Sequence, residues 1–275
     1  MKTADAISQI AARLAAAGIA DARREARIIL AAAADVDAAG LLLLSEIQEA
    51  KAEPMVVRRV SREPLAYILG RKEFWGLNFA VSPATLIPRP DSETIIEAAL
   101  AAVPGRDGVQ RILDLGTGTG CLLLAALSEF KNAFGLGVDI SPQAASLAAA
   151  NARNLGLASR SAFVVGDWTS ALADTKFDLI LGNPPYIAGA DFAGLMPEVR
   201  QYEPDSALHG GPDGLAAYRA IFAALPALLS DSGLALLELG AGQAEQVADM
   251  AKAAGFQTDF RRDMANIPRV VLIRS

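Results

Sequence analysis

The sequence predicts an α/β fold, in which a doubly wound, mostly parallel seven-stranded sheet is preceded by a small all-α domain and a β-hairpin linker. From Gln110 onward, short apolar runs alternate with helical segments, which is typical of a parallel sheet covered by helices on both faces. Before that point, residues 3–62 are rich in Ala, Leu, Arg and Glu and poor in β-branched residues, which favours helices. We therefore expect a helical domain at 1–66, a hairpin linker at 67–90 and a larger domain at 91–275.

The helical domain is predicted to contain about four short helices. Its apolar residues recur at helical spacing, beginning with Ile7, Ile10 and Leu14, and Asp21 and Asp35 are candidate helix caps. Composition alone leaves two roles open for this domain. One is a docking module for a macromolecular partner, and the other is an appendage for dimerisation or stability.

Composition excludes several classes of function. The formal net charge of -6 argues against broad attraction to nucleic acid phosphates, and we interpret Arg58, Arg59 and Arg62 as a solvated helix face. With Cys121 and His209 as the single cysteine and histidine, no metal site is expected. The sequence has no membrane-length apolar stretch and its first residues lack the layout of a signal peptide, so we expect a cytoplasmic protein.

The linker contains two signals. Residues 74–81 contain β formers around a Gly/Asn turn, which predicts the hairpin. The following segment has two prolines that hold their neighbours extended, and Asp91 or Ser92 can cap the next helix. The charged Arg89 and Glu93 in this segment either mark a simple helix entry or lie against an active site.

The larger domain is predicted element by element from its apolar runs. The predicted strands are Arg111–Leu115, Phe134–Val138, Ala162–Val165, Phe177–Leu181, Leu234–Leu239, Gln257–Phe260 and Arg269–Ile273. The predicted helices are Gly120–Phe130, Pro142–Leu155, Asp213–Leu229 and Gln243–Ala254. Two strands follow one another at the end, which predicts an antiparallel strand there.

The tetrad Asn183-Pro184-Pro185-Tyr186 follows the fourth predicted strand directly. Ligands of α/β sheets collect at the carboxyl ends of such strands. The asparagine oxygen can accept one hydrogen of a planar NH2 group, a nearby backbone carbonyl can accept the other, and the tyrosine offers a flat face. The alternative is a proline turn that only ends a strand.

The first three strands also end in residues suited to a ligand. Residues 116–120 form a G-x-G-x-G loop before a helix, and glycines allow close approach of a ligand to the backbone. Cys121 stands where a dinucleotide fingerprint needs its third glycine, so a cofactor with an adenosine and a short amino-acid arm fits better. Asp139 suits ribose hydroxyls, and Asp167 with Trp168 suits an adenine. Each aspartate taken alone is equally consistent with a helix cap.

These four strand ends together resemble the class I S-adenosylmethionine-dependent methyltransferases, and NPPY within that group marks methylation of nitrogens conjugated to a π system. The sequence most resembles the release factor glutamine methyltransferases, over nearly its whole length. The stretches that carry this resemblance are Arg62–Gly70, Glu73–Phe74, Leu86–Glu93, Pro197–Val199, Glu203–Pro204, Gly210–Leu215 and Pro268–Val271. The sequence departs from the family pattern at Ser92, where threonine is common, and at His209, and we expect neither to touch the chemistry.

The resemblance implies a class I methyltransferase fold and a role for each candidate residue. Its cofactor is S-adenosyl-L-methionine, with cofactor-binding residues Gly116, Thr117, Gly118, Thr119, Gly120, Asp139, Asp167, Trp168 and Asn183. Its substrate is the glutamine of the Gly-Gly-Gln motif in class I peptide chain release factors, held by Asn183, Pro184, Pro185, Tyr186, Arg89 and Glu93. Asn183, Pro184 and Tyr186 are the predicted catalytic residues. We expect no dedicated base, no direct sequence-specific nucleic acid binding and a monomer.

Three other readings compete with this one. An adenine amino methyltransferase acting on DNA or RNA uses the same tetrad, but it usually needs a basic recognition surface. A nucleotide-binding dehydrogenase leaves NPPY unexplained. A non-catalytic binding protein is disfavoured by intact candidates at all four strand ends. Because one glutamine in a loop offers little to recognise, the resemblance also favours a docking role for the helical domain.

Overall fold

The computed structural model describes residues 1–168, 172, 175–263 and 266–275. Its α-helices are α1 (Thr3–Ala16), α2 (Ala22–Ala33), α3 (Ala38–Leu43), α4 (Glu53–Val60), α5 (Leu65–Leu69), α6 (Glu93–Ala102), α7 (Cys121–Glu129), α8 (Pro142–Asn154), α9 (Pro197–Tyr202), α10 (Ala216–Leu228) and α11 (Ala244–Ala253). Its strands are β1 (Arg71–Phe74), β2 (Leu77–Ala80), β3 (Arg111–Leu115), β4 (Phe134–Asp139), β5 (Ser161–Val165), β6 (Phe177–Gly182), β7 (Leu229–Glu238), β8 (Gln257–Arg262) and β9 (Pro268–Arg274).

The chain forms two compact units. The first comprises Met1–Gly70 together with Met196–Tyr202, and the second comprises Arg71–Leu195 and Glu203–Ser275. Helix α9 therefore belongs to the first unit, although it lies far along the sequence. The three-part division drawn from the sequence stays a prediction.

The first unit is a small helical domain, as predicted. Its core is formed by the apolar faces of α1 and α2, with Ile7, Leu14 and Ile29 among the buried residues. The predicted cap at Asp35 is wrong, because this residue adopts a left-handed backbone (φ 55°) after α2. Asp37 caps α3 instead, and its carboxylate accepts a hydrogen bond of 2.6 Å from the backbone nitrogen of Gly40.

The basic cluster of this unit is not the solvated face that the sequence predicts. Arg59 is 5% exposed, and its guanidinium contacts Glu25 at 2.5 Å and Glu198 at 3.2 Å. Arg62 reaches the second oxygen of Glu198 at 2.6 Å. Only Arg58 has the exposure that was expected, and even this side chain is paired with Glu63. Two of the three arginines thus hold Glu198 and with it helix α9.

The hairpin opens the second unit. Strands β1 and β2 pair in antiparallel fashion through a two-residue turn at Trp75 and Gly76, both of which have positive φ as a type I′ turn requires. Asn78 lies within β2 and not in the predicted Gly/Asn turn. Phe74 and Phe79 are buried edge to face, with ring centroids 6.3 Å apart.

The main sheet has seven strands in the order β5-β4-β3-β6-β7-β9-β8. Strands β3 to β7 are parallel, whereas β9 is antiparallel to both of its neighbours. Apolar clusters cover both faces, with α6 and α7 contributing to one and α10 and α11 to the other. The predicted doubly wound fold, including an antiparallel strand at its end, is confirmed.

Candidate functional site

A cavity of about 340 Å³ lies at the point where the strand order reverses, at the carboxyl ends of the parallel strands. Its size falls in the usual range for small-molecule sites. The predicted site residues that line it are Arg89, Gly116, Thr117, Gly118, Thr119, Asp139, Asp167, Trp168, Asn183 and Pro185. Glu93, Gly120, Pro184 and Tyr186 are not among its lining residues.

The glycine loop turns sharply after β3. Gly116, Gly118 and Gly120 have φ of +72°, +54° and +79°, a left-handed conformation that disfavours other residues. The backbone nitrogens of Gly116 and Thr117 both donate to the carbonyl of Val138 at 2.9 Å, which ties the loop to the end of β4. The loop backbone therefore forms one wall of the cavity.

The three glycines differ in what surrounds them. A Cβ on Gly118 would lie 4.0 Å from its nearest neighbours, one of which is the Thr85 side chain across the cavity wall. A Cβ on Gly120 would lie only 3.1 Å from the Cβ of Ala148 in α8. Gly118 thus leaves open room at the cavity, whereas Gly120 permits close packing of α8.

The carboxyl of Asp114 lies beneath this loop. Asp114 is 1% exposed, and one carboxyl oxygen accepts a 2.6 Å hydrogen bond from the hydroxyl of Thr117. Burial raises its pKa to about 7, opposed by the hydrogen bond from Thr117. The other carboxyl oxygen and the buried hydroxyl of Thr119 have no hydrogen-bond partner among the described residues. Of the two residues, only Thr119 lines the cavity, and its hydroxyl can accept or donate a hydrogen bond.

Asp139 ends β4 with its carboxylate fixed by backbone donors. One oxygen accepts from the nitrogen of Gly118 at 2.8 Å and the other from the nitrogen of Ser141 at 2.9 Å. A carboxylate has about four acceptor positions, so each oxygen keeps one for a further donor. This arrangement suits a pair of neighbouring hydroxyl groups.

The end of β5 supplies the next part of the wall. Trp168 adopts a left-handed backbone (φ 50°), and its ring lies 3.9 Å from where a Cβ of Gly116 would be. Asp167 is exposed and lines the same cavity. Ile140, which the sequence analysis missed, also lines it and is 61% exposed. An indole and an exposed apolar side chain beside one carboxylate suit a flat heteroaromatic ring.

The amide of Asn183 is held by a chain of hydrogen bonds. Its nitrogen donates to the hydroxyl of Ser92 at 3.0 Å, and this hydroxyl donates to a carboxylate oxygen of Glu238 at 2.5 Å. The phenol of Tyr186 donates to the other oxygen of Glu238 at 3.3 Å. Burial raises the pKa of Glu238 and of Tyr186, and the two hydroxyl donors oppose the rise at Glu238.

The predicted helix cap at Ser92 is therefore wrong. Ser92 stands at the start of α6, but its side chain makes no capping bond and instead contacts Asn183. His209 lines the cavity as well, and its expected absence from the chemistry stays a prediction. Its Nδ1 accepts a 3.1 Å hydrogen bond from the nitrogen of Gly211, and its ring lies 5.4 Å from that of Phe192.

The backbone after Asn183 is fixed from several directions. The carbonyl of Tyr186 accepts a 3.1 Å hydrogen bond from the side chain of Gln243, which also contacts the carbonyl of Gly214. The nitrogen of Ile187 donates to the carbonyl of Leu208 at 3.1 Å. This bracing holds the tetrad rigidly beside the cavity.

The two charged residues predicted for the substrate have different surroundings. Arg89 lines the cavity and pairs at 2.5 Å with Glu203, which is 5% exposed and also accepts from the backbone nitrogen of Ile87. Glu93 accepts a 2.8 Å hydrogen bond from the backbone nitrogen of Trp75. Glu93 thus anchors the hairpin turn, whereas Arg89 faces the cavity.

Glu238 and Ser92 are the main site residues that the sequence analysis missed. Glu238 ends the fifth parallel strand and so follows the same pattern as the acids after the other strands. That position was a usable signal. Ser92 gave none, because a serine before a helix ordinarily indicates a cap.

Within the described part of the chain, no three His, Cys, Asp or Glu side chains are grouped so as to hold a metal ion. None of the helices in the described ranges combines the length and apolar character needed to cross a bilayer.

Two family models match the chain. One is described as the PrmC N-terminal domain and matches residues 5–70, and the other is a methyltransferase domain that matches residues 107–223. Among curated relatives, the release factor glutamine methyltransferase of Rhodospirillum rubrum is 45% identical, over 95% of this chain and 82% of its own. Those of Bradyrhizobium diazoefficiens and Cereibacter sphaeroides are 44% and 46% identical, over 96% and 93% of this chain and 92% and 91% of their own.

Solved structures share the fold. The hMettl16 catalytic domain superposes with a TM-score of 0.60 at 17% identity, covering 77% of this chain and 81% of that one. A methyltransferase from Pyrococcus furiosus superposes with a TM-score of 0.53 at 17% identity, covering 80% of this chain and 97% of that one. At this identity the likeness concerns the fold alone.

Proposed function

The chain belongs to the release factor glutamine methyltransferase family, and from this premise we propose that it uses S-adenosyl-L-methionine to methylate the side-chain amide nitrogen of the glutamine in the Gly-Gly-Gln motif of class I peptide chain release factors. The observation that carries the proposal is one cavity lined by the glycine loop, Asp139 and Asn183. The methyl donor and the methyl acceptor must bind next to each other. The glycine loop and Asp139 provide the proposed donor site, and Asn183 provides the proposed acceptor site.

The residues present fit the cofactor. The open room at Gly118 suits an amino-acid arm that carries an ammonium group, and so does the hydroxyl of Thr119, which has no hydrogen-bond partner among the described residues. The two remaining acceptor positions on Asp139 suit the ribose hydroxyls. Trp168 and Asp167 suit the adenine ring and its amino group. When bound, the cofactor supplies an electrophilic methyl group.

Asn183 raises the reactivity of the substrate nitrogen. An amide nitrogen is a poor nucleophile because its lone pair is delocalised into the carbonyl. The oxygen of Asn183 accepts one of its hydrogens and the carbonyl of Pro184 accepts the other, which returns electron density to the nitrogen. Pro185 and Tyr186 complete a rigid flat slot, and orientation within that slot supplies the remaining rate enhancement.

No dedicated base is required. The nitrogen becomes acidic once it has gained the methyl group, and its surplus proton leaves to water. The Nδ1 of His209 is already accepting a hydrogen bond from Gly211, so we assign this residue no proton-transfer role. Arg89 and Glu93 stay predictions as substrate contacts, and Glu93 already holds the turn at Trp75.

The amino-terminal helical unit is the proposed docking module for the release factor. A single glutamine in a loop offers few contacts, so discrimination between proteins must come from surfaces remote from it. The match of residues 5–70 to the PrmC N-terminal domain supports this assignment. A monomeric state and a cytoplasmic location stay predictions.

The test is mass spectrometry of a class I release factor incubated with the enzyme and S-adenosyl-L-methionine. We expect a gain of one methyl group on the glutamine of the Gly-Gly-Gln peptide, and none on a DNA or RNA oligonucleotide. Asn183→Ala is the matched variant, and it should lose transfer while the Kd of the cofactor rises by less than about tenfold, the usual cost of one neutral hydrogen bond. Methylation of the oligonucleotide and not of the release factor would support the adenine amino methyltransferase instead.

A further inference from the structure

Asn183 and Glu238 are neighbours because of the sheet register. Strands β6 and β7 are parallel and pair Gly182 with Leu237, so the next residue of each chain segment, Asn183 just after β6 and Glu238 at the end of β7, lies beside the other. Ser92, from the start of α6, places its hydroxyl between them. Ser92 and Glu238 are 3% and 4% exposed, so water has little access to either.

The hydrogen bonds in this chain have one direction. Tyr186 and Ser92 donate to the two oxygens of Glu238, one to each, so the carboxyl group is the acceptor in both hydrogen bonds. A serine hydroxyl has a single proton, and that of Ser92 is committed to Glu238. Towards Asn183 the hydroxyl can therefore only accept, so the amide must present its nitrogen to Ser92.

We propose that Ser92 and Glu238 are positioning residues that select the orientation of the Asn183 amide and so direct its oxygen towards the substrate nitrogen. The inference rests on the proposed function, because it concerns how Asn183 accepts a hydrogen from the glutamine amide. A side-chain amide turned by half a rotation would present its own NH2 group to the NH2 group of the substrate. Two donors would then face each other and no hydrogen bond would form.

A positioning role and a merely structural role of Ser92 predict different effects of its substitution. Loss of its hydroxyl removes the group that distinguishes the two orientations of the amide. Substrate affinity depends on many contacts elsewhere, so the effect should fall on kcat and not on KM. A structural role would instead change the thermal stability, and kcat and cofactor affinity would fall together.

The experiment compares Ser92→Ala, Ser92→Thr and Ser128→Ala with the wild-type chain. Ser128 is the matched control, because the hydrogen bond of its hydroxyl within the described ranges goes to the carbonyl of Ala125 in α7, at 2.7 Å. Steady-state methylation of a release factor gives kcat and KM, calorimetry gives the Kd of S-adenosyl-L-methionine, and thermal unfolding gives Tm. We expect kcat of Ser92→Ala to fall by about 10- to 100-fold, the effect of one lost hydrogen bond at a reacting group. Its KM and Kd should stay within about threefold, and Ser92→Thr should recover most of kcat.

The results distinguish a failure of the proposed function from a failure of the positioning role. A wild-type chain that does not methylate the release factor contradicts the proposed function. If the wild-type chain is active and Ser92→Ala is equally active, only the positioning role is overturned. The same holds if Ser92→Thr has an unchanged Tm but loses as much kcat as Ser92→Ala. If Ser92→Ala does not fold, Ser92→Cys takes its place, because a thiol is a weak donor of similar size. Wild-type kcat in the cysteine variant would likewise overturn the proposal.

Discussion

Gly118→Ala should weaken cofactor binding more than it lowers stability, whereas Gly120→Ala should mainly lower stability. Both glycines are left-handed, so either substitution costs about 1–2 kcal/mol of folding free energy through backbone strain. Gly120→Ala adds a Cβ that lies 3.1 Å from the Cβ of Ala148 and 3.3 Å from Leu124, and such overpacking costs about 1–3 kcal/mol more. Its total loss should therefore be about 2–5 kcal/mol, against about 1–2 kcal/mol for Gly118→Ala.

The loss of cofactor affinity should be larger for Gly118→Ala than for Gly120→Ala. The nearest atoms to the added Cβ of Gly118→Ala lie 4.0 Å away. The Cβ therefore projects into space that the cofactor would occupy. One extra carbon in a fitted site changes affinity by about 10- to 200-fold. Gly120 does not line the cavity, so the Kd of Gly120→Ala should stay within about threefold of wild type at temperatures where the variant is folded.

Two measurements check this pair. Calorimetric titration with S-adenosyl-L-methionine gives Kd, and urea unfolding followed by tryptophan fluorescence gives the free energy of unfolding. Fluorescence is suitable because both tryptophans, Trp75 and Trp168, lie in the unit that contains the glycine loop. Wild-type affinity in Gly118→Ala would refute the assignment of this loop to the cofactor. Equal stability losses in the two variants would refute the packing argument at Gly120.

Two further predictions concern buried charge. Arg59→Ala removes the buried partner of Glu25, whereas Glu198 keeps Arg62, so it should cost about 3 kcal/mol of unfolding free energy, the lower end for a broken buried pair, in denaturation followed by circular dichroism. Arg13→Ala breaks an exposed pair and should cost less than about 1 kcal/mol, and equal losses would contradict a special role for the buried cluster. The pKa of Asp114 is raised from 3.8 to about 7, so the folded state holds a proton that the unfolded state has lost between these pH values. Its contribution to stability is complete below the unfolded pKa and is lost as pH rises through the folded pKa, up to about 4 kcal/mol at about 1.4 kcal/mol per pKa unit. Asp114→Asn should therefore lose less stability than wild type between pH 5 and pH 8, and parallel pH profiles would contradict the shift.

The main sheet was predictable because its central strands are buried on both faces. Strands β3 and β6 are nearly continuous apolar runs, and their predicted bounds differ from the observed ones by at most one residue. Strand β7 begins five residues before its predicted start at Leu234, because its register with β6 shifts between Phe177 and Leu179 across a polar stretch. Helix α9 has only six residues, too few for a helical period to appear in the sequence.

The predicted and the missed site residues differ in how far apart their partners lie. Asp139 and Asn183 were recognised from their own strands, because a polar residue after an apolar run is a local signal. Ser92 and Glu238 are 146 residues apart, and Arg59 lies 139 residues from Glu198. The roles of such residues depend on which strands and helices become neighbours, and no local pattern contains that information.

Strand order supplies part of that missing information before any side chain is placed. In a parallel sheet, neighbouring strands bring their carboxyl ends to the same edge, so polar residues after adjacent strands are expected to interact. Once β6 and β7 are known to be adjacent, the pair Asn183 and Glu238 follows from the register of Gly182 with Leu237. An asparagine amide next to a buried carboxylate needs a donor that satisfies the carboxylate, because both oxygens of that group can only accept. A hydroxyl between them meets this need and at the same time dictates which end of the amide faces the substrate, which is why the serine at the start of α6 belongs to the site and not to the helix cap.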